Sequence, residues 1–299
     1  MDRIVECIPN FSEGKRKEVI DQIVGEIKKV KGVKLLDVES DADHNRSVVT
    51  FIGEPEAAAE AAFLATKKAS ELIDLNLHRG EHPRIGATDV MPFVPISNVT
   101  MKECVELARN VGKRIADELK IPVYLYEAAA LKPECTNLAD IRKGEYECLK
   151  NEIGTNPARK PDYGPAKLHP TAGATVVGAR EPLIAFNVNL ATNDMEIAKK
   201  IAKAVRFSSG GLKCVKAKGF ELKNRGIVQV SMNLTNYRET PVYKAYEMVK
   251  SEAERCNVKI IGCEIIGLVP LDAIADVANF YLKLENFKNE QILEKRLWE

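Results

Sequence analysis

The stretch Ile184-Ala185-Phe186-Asn187-Val188-Asn189-Leu190 sets large apolar side chains against small or amide ones at strict period two. That is the signature of a strand with one buried face. Asn193 and Glu196 follow at capping-box spacing, so a helix is expected next. Val215 to Phe220 and Ile227 to Leu234 alternate in the same way, and Asn224-Arg225-Gly226 between them suits a hairpin turn. Thr240-Pro241 then reads as a cap with an N1 proline. It leads a helix whose buried stripe is Val242, Ala245, Tyr246, Val249 and Ala253, and the strand Val258 to Ile266 closes the series. The order is β-α-β-β-α-β.

The first part of the chain repeats that order. Arg3 to Cys7 is a short strand, and Val19, Ile20, Ile23, Val24, Ile27 and Val30 line one helical face. Val33 to Val38 and Ser47 to Gly53 are β-branched runs, Pro55 opens an alanine-rich helix to Ile73, and Val90 to Val94 supplies a fourth strand. The expected class is therefore α+β: two such subdomains with helices on one sheet face and a ligand cleft between them. Thr100-x-x-Glu103 caps an added helix with the stripe Cys104, Leu107, Ala108, Val111, Ile115 and Leu119. Gly154 to Gly178 lacks period until Thr175 and reads as a long ordered loop or linker. The boundaries drawn are 1–178 and 179–299. The tail, which ends in Leu297 and Trp298, carries Ala273, Val277, Phe280, Leu284 and Phe287 in helical register and is expected to pack on its own domain.

Bulk properties narrow the function. The 299 residues carry 44 basic and 43 acidic side chains, a balance that calls for neither nucleic acid nor a membrane surface. Seven cysteines are scattered without a C-x-x-C pair, as expected of core residues in a reducing compartment. No segment reaches ~18 uncharged apolar residues, and Met1-Asp2-Arg3-Ile4-Val5-Glu6 does not resemble a leader, so a cytoplasmic protein is expected.

Chemistry concentrates in His78-Arg79-Gly80-Glu81-His82-Pro83-Arg84-Ile85-Gly86-Ala87-Thr88-Asp89, which holds two of the four histidines. Gly80, Pro83 and Gly86 make it a constrained loop that can hold an imidazole still. His78-x-x-Glu81-His82 also matches the inverted zinc-peptidase pattern, which needs both histidines on one helical face. Gly80 within it and Pro83 after it oppose such a helix. His82-Pro83-Arg84-Ile85-Gly86-Ala87-Thr88 shares five of seven residues with His169-Pro170-Thr171-Ala172-Gly173-Ala174-Thr175, and each leads a glycine-bearing loop into a strand. Glu39 to Arg46 joins two strands and gathers three carboxylates, His44 and Arg46; its guanidinium suits a substrate carboxylate. Asp41 and Asp43 lack the glycine and glutamate spacing of a calcium loop. Arg206, Lys213, Lys216, Lys218, Lys223 and Arg225 crowd one hairpin, a solvated face or a track for a multiply carboxylated ligand.

These residues resemble the glutamate formimidoyltransferase family, the formiminotransferase part of formimidoyltransferase-cyclodeaminase. The resemblance rests on Ile4-Val5-Glu6-Cys7-Ile8-Pro9-Asn10-Phe11-Ser12-Glu13-Gly14, Asp43-His44-Asn45-Arg46-Ser47, His82 to Asp89 and Lys167-Leu168-His169-Pro170, and it covers essentially the whole chain. It implies two ferredoxin-like subdomains in a homodimer, and transfer of a formimino or formyl group between N5 of tetrahydrofolate and L-glutamate in histidine degradation. It places the catalytic histidine on His82. The folate-contacting segment falls on Tyr163, Gly164, Pro165, Ala166, Lys167, Leu168, His169, Pro170, Thr171 and Ala172. Tetrahydrofolate is then a cosubstrate, with L-glutamate or N-formimino-L-glutamate as the other small-molecule substrate and no metal. Arg46, His44, Glu39 and Asp89 are the supporting candidates. No cyclodeaminase domain is expected. A zinc-dependent peptidase and a catalytically silent folate-binding relative are the competing classes.

Overall fold

The computed structural model describes residues 3–297. The chain divides into two compact units between Arg180 and Glu181. Both combine helices with a sheet of their own, in agreement with an α+β class. The first runs β1 (Ile4–Cys7), β2 (Asn10–Phe11), α1 (Lys17–Lys29), β3 (Val33–Asp41), β4 (Arg46–Gly53), α2 (Pro55–Leu72) and β5 (Thr88–Ser97). It continues through α3 (Met101–Leu119), β6 (Val123–Glu127), α4 (Leu138–Ile141), α5 (Glu145–Glu152) and β7 (Thr175–Ala179). β1 and β2 together act as one interrupted strand between β4 and β5, with β3 outside β4. β7 and then β6 extend the sheet beyond β5 in parallel.

Local sequence explains the elements. Val19, Ile20, Ile23, Val24 and Ile27 are buried along α1, and Lys28 and Lys29 end it where its dipole favours cations. Pro55 starts α2, whose buried alanines 58, 61, 62, 65 and 69 let neighbours approach closely. The expected capping box of α3 is present: the Glu103 N–H donates to Thr100 Oγ1 at 3.3 Å and the Thr100 N–H donates to Glu103 Oε2 at 2.7 Å. Ile23, Phe51, Phe93, Ile115 and Leu125 meet in one core. Truncating such a residue to alanine costs about 2–5 kcal/mol.

Two features of this unit were not expected from sequence. β6 is a five-residue strand buried almost throughout, so it carries no alternation, and α4 and α5 fill the path between β6 and the long loop. That loop gives way to β7 at Thr175.

The second unit runs β8 (Ile184–Leu190), α6 (Met195–Val205), β9 (Val215–Leu222), β10 (Ile227–Leu234), α7 (Val242–Arg255), β11 (Ile260–Ile266), α8 (Leu271–Leu282) and α9 (Leu293–Leu297). Its sheet order is β11-β8-β10-β9, all antiparallel. Val228, Val230, Met232 and Leu234 pair with Leu190, Val188, Phe186 and Ile184, and all eight are buried. Three local expectations are corrected. Asp194, not Asn193, caps α6, its Oδ1 accepting from the Glu196 N–H at 2.8 Å. Pro241 itself occupies the cap of α7, because the Thr240 hydroxyl donates to the Lys213 carbonyl at 2.6 Å. The tail helix stops at Leu282, since Lys283 turns left-handed (φ 51°), leaving Leu284 and Phe287 off its stripe. Trp298 lies outside the described residues.

Candidate active site

The loop from His78 to Ala87 is stitched to the β3–β4 turn. The Glu81 N–H donates to the Asp43 carbonyl at 3.2 Å, and Asn45 Nδ2 donates to the Arg79 carbonyl at 2.9 Å. Asn45 itself is buried and left-handed (φ 48°), with its Oδ1 accepting from the Gly14 N–H at 2.9 Å. A Cβ on Gly80 would lie 2.3 Å from the His44 carbonyl oxygen, so only glycine lets the loop lie this close to the turn.

His78 is consumed by this framework. Arg84 Nε–H donates to its Nδ1 at 3.2 Å, which leaves Nε2 to donate to the Asn45 carbonyl at 2.8 Å and fixes one neutral tautomer. Burial, and to a lesser degree the Arg84 charge, hold its pKa below the ordinary value. Arg84 is buried in turn and reaches Glu145 at 2.8 Å and Glu147 at 2.6 Å, tying α5 to the loop. The His78-x-x-Glu81-His82 segment is not helical, and both nitrogens of His78 are engaged. The zinc-peptidase geometry therefore has no support here. Among the described residues no three His, Cys, Asp or Glu side chains are grouped to hold a metal.

His82 is half-buried and differently placed. Its pKa is pushed down to about 2, by burial first and then by the guanidinium charges of Arg142 and Arg46, with His44 and His78 adding to them. The imidazole is thus neutral at physiological pH. Arg84, two residues along the chain, is instead spent on His78 and the two glutamates. The residue that sequence reasoning missed is Arg142, just past α4, which forms an ion pair with Asp89. Asp89 is buried, and its other oxygen accepts from the Ile85 N–H at 2.8 Å. Arg46, the first residue of β4, sits opposite Asp41 and within the fields of Arg142, Asp41, Asp89 and Glu39. His44 is exposed and bound to Asp41, its Nδ1 lying 3.1 Å from Oδ2. Glu39 is exposed on β3.

The segment Tyr163 to Ala172 is pinned at both ends. Tyr163 exchanges backbone hydrogen bonds with Val123 at 3.0 and 3.2 Å; the carbonyls of Pro170, Thr171 and Ala172 accept from Asn76 Nδ2, Leu75 N–H and Ala87 N–H at 2.8, 2.8 and 2.9 Å. Between these anchors Gly164, Pro165, Ala166 and Lys167 are exposed and Leu168 is buried. His169 Nδ1 accepts from the Ala172 N–H at 3.0 Å, so this nitrogen closes its own turn.

The two similar heptapeptides turn out to pair with each other. Gly86 and Gly173 form an antiparallel bridge, and the Ala174 N–H donates to the Ile85 carbonyl at 2.9 Å. A Cβ on Gly86 would lie 1.7 Å from the Ala174 carbonyl oxygen. The shared glycines reflect this close approach of two backbones, which joins the 163–172 segment to the His82 loop.

In the second unit, the basic hairpin is partly neutralised locally: Arg225 pairs with Glu264 at 3.1 Å and Lys213 with Glu239 at 2.9 Å. Among the described residues no helix is long and apolar enough to cross a membrane.

Comparison with known proteins bears on what such a site does. Residues 4–180 match the family model "Formiminotransferase domain, N-terminal subdomain", and residues 185–296 match "Formiminotransferase domain". Glutamate formimidoyltransferase of Streptococcus pyogenes serotype M1 is 53% identical, over 99% of this chain and 99% of its own length. Its namesake in Thermoplasma acidophilum is 52% identical over 98% of this chain and 97% of its own. Formimidoyltransferase-cyclodeaminase of Dictyostelium discoideum is 45% identical over 99% of this chain and 56% of its own.

Proposed function

This chain belongs to the formiminotransferase family, and we propose on that footing that it transfers a formimino group between N5 of tetrahydrofolate and L-glutamate. The observation that carries the reading is His82: a half-buried neutral imidazole beside two guanidinium groups, on a loop bonded to the 163–172 segment. In the direction toward glutamate, the amine attacks the formimino carbon, and the tetrahedral intermediate collapses with expulsion of N5. His82 takes the amine proton and returns it to the departing nitrogen. Tetrahydrofolate enters as a cosubstrate along Tyr163 to Ala172, whose exposed stretch Gly164 to Lys167 is the part free to meet a ligand. Arg46 stands ready for a carboxylate, while Asp89 holds the loop and its guanidinium partner in place. His44 and Glu39 supply the surrounding charge.

The ferredoxin-like character of both units, the folate groove, a cytoplasmic homodimer, a formyl group as alternative cargo, and a part in histidine degradation belong to the same proposal. Turnover of formiminoglutamate with tetrahydrofolate, followed by the absorbance change of the folate, is the direct test. General acid–base groups contribute about 10²- to 10⁴-fold, so His82→Ala is expected to lower kcat by that factor with little change in folate affinity. An unaltered kcat would remove His82 from the chemistry.

A further inference from the structure

Arg142 carries a donor that nothing in its surroundings uses. Its guanidinium is mostly buried and gives Nη2 to Asp89, yet Nε is buried with no hydrogen-bond partner among the described residues. A buried charged donor left unpaired is costly, and native proteins that keep one meet it with an ordered water, an ion or a bound group. The charge count around it is also incomplete. Arg46, partly buried, feels the Arg142 charge, and Asp89 is the buried carboxylate between them, with one of its oxygens already taken by the Ile85 N–H. Asp41 is engaged with His44, and Glu39 is exposed. Asp89 is thus the buried carboxylate paired with Arg142, and Arg46 lies within its field and those of Asp41 and Glu39, the latter two on the exposed side of the site, where an incoming anion would meet both guanidinium groups.

A second orphan points the same way. The Thr175 hydroxyl is buried without a partner. Val90 of β5 is the register partner of Val176 of β7, so Asp89 and Thr175, each one residue earlier, share one sheet face. A planar guanidinium with its Nε–H free, on the sheet face that also carries the unpartnered Thr175 hydroxyl, suits the planar, two-oxygen shape of a carboxylate better than a spherical anion.

We propose that Arg142 recognises a carboxylate of the amino-acid substrate through its unused Nε–H, with Arg46 beside it, and thereby places that substrate against His82. The substrate class rests on the transfer reaction proposed above; the anion site rests on the buried, unpartnered Nε–H of Arg142 and its pairing with Asp89. Arg142 is a binding residue in this account, and Asp89 positions it.

The test uses the full chain as wild type, Arg142→Gln and Arg142→Lys. Loss of a charge-assisted hydrogen bond is expected to raise the KM for formiminoglutamate about 10- to 100-fold in Arg142→Gln, leaving the KM for tetrahydrofolate unchanged. A second readout needs no turnover: glutarate, a dicarboxylate without an amine, should shift the His82 imidazole NMR signal in wild type and fail to do so in Arg142→Gln. Arg142→Lys keeps a cation beside Asp89 but not the planar edge, and decides the matter if the glutamine variant does not fold; it should still lose glutarate recognition. An unchanged formiminoglutamate KM in the folded variants, or a glutarate shift that survives in them, overturns the proposal. Wild type that shifts with glutarate but never turns over formiminoglutamate would sink the functional reading and leave the anion site standing.

Discussion

Replacing Arg84 by methionine should weaken the first unit by about 1–3 kcal/mol, and the structure says where that loss arises. Arg84 makes bonds to His78 Nδ1 at 3.2 Å, Glu145 Oε2 at 2.8 Å and both oxygens of Glu147 at 2.9 and 2.6 Å. The ion pairs are not the main component. The side chains of Glu145 and Glu147 are 42% and 60% exposed, so after the substitution they return to water, and such pairs are worth about 0–1 kcal/mol each. The guanidinium, 6% exposed, was itself desolvated, and its removal offsets part of even that. What remains is His78 Nδ1, a buried acceptor stripped of its donor, at about 1–3 kcal/mol. The check is urea unfolding of wild type, Arg84→Met, His78→Phe and the double variant, read on the transition of the first unit. Contacting residues should couple by at least ~0.5 kcal/mol. Additive single effects, or an Arg84→Met midpoint equal to wild type, would show that this contact does not fix the His78 tautomer.

Two further outcomes follow from the same geometry. Gly86→Ala pushes a Cβ onto the Ala174 carbonyl, so it should cost about 2–4 kcal/mol and separate the paired heptapeptides; a thermal midpoint like that of wild type would refute the close approach. His78, His82 and His169 all have folded-state pKa values depressed by burial, so the unfolded chain binds protons first as pH falls. Their contribution is fully present above the unfolded pKa of about 6.5 and is lost below it, by up to about 1.4 kcal/mol per pH unit for each imidazole. Urea midpoints measured from pH 8 to pH 5 should therefore decline, and a flat profile would contradict it.

How far the fold was legible depends on whether a strand has two different faces. β8 and β10 have one apolar face and one lined with Asn187, Asn189 and Gln229, so period two stands out along the sequence. β6, Val123-Tyr124-Leu125-Tyr126-Glu127, has neighbours on both faces and so no polar side to mark it. α5 was hidden for another reason. It starts behind left-handed Gly144 (φ 76°) with no side-chain cap, and is held by the Tyr146 N–H donating to the Arg84 carbonyl at 2.9 Å, a contact between segments far apart in sequence. The tail failed through one residue, Lys283, whose left-handed turn no apolar stripe can announce.

At the site, glycine and proline spacing disclosed a rigid loop, but ranking its histidines required their partners. Four imidazoles sit within or beside the same framework, and three have a ring nitrogen committed: His78 to Arg84 and Asn45, His169 to its own turn, His44 to Asp41. His82 stands apart because its environment is made of charge and burial. Neither can be read from Glu81, Pro83 or Arg84 next to it, since the governing cations come from β4 and from the end of α4. That origin also bears on catalysis. An imidazole pressed to about 2 is a feeble proton acceptor; burial is the larger cause, and the smaller part, owed to the guanidinium charges of Arg142 and Arg46, is what an anionic substrate would neutralise. On the proposal above, carboxylate binding at Arg142 and Arg46 would relieve that part of the depression, so that His82 gains basicity as the amino acid arrives. The two requirements of the reaction, holding the amino acid and taking its proton, would then be met by one electrostatic event, and the glutarate experiment reads that event directly in the His82 signal.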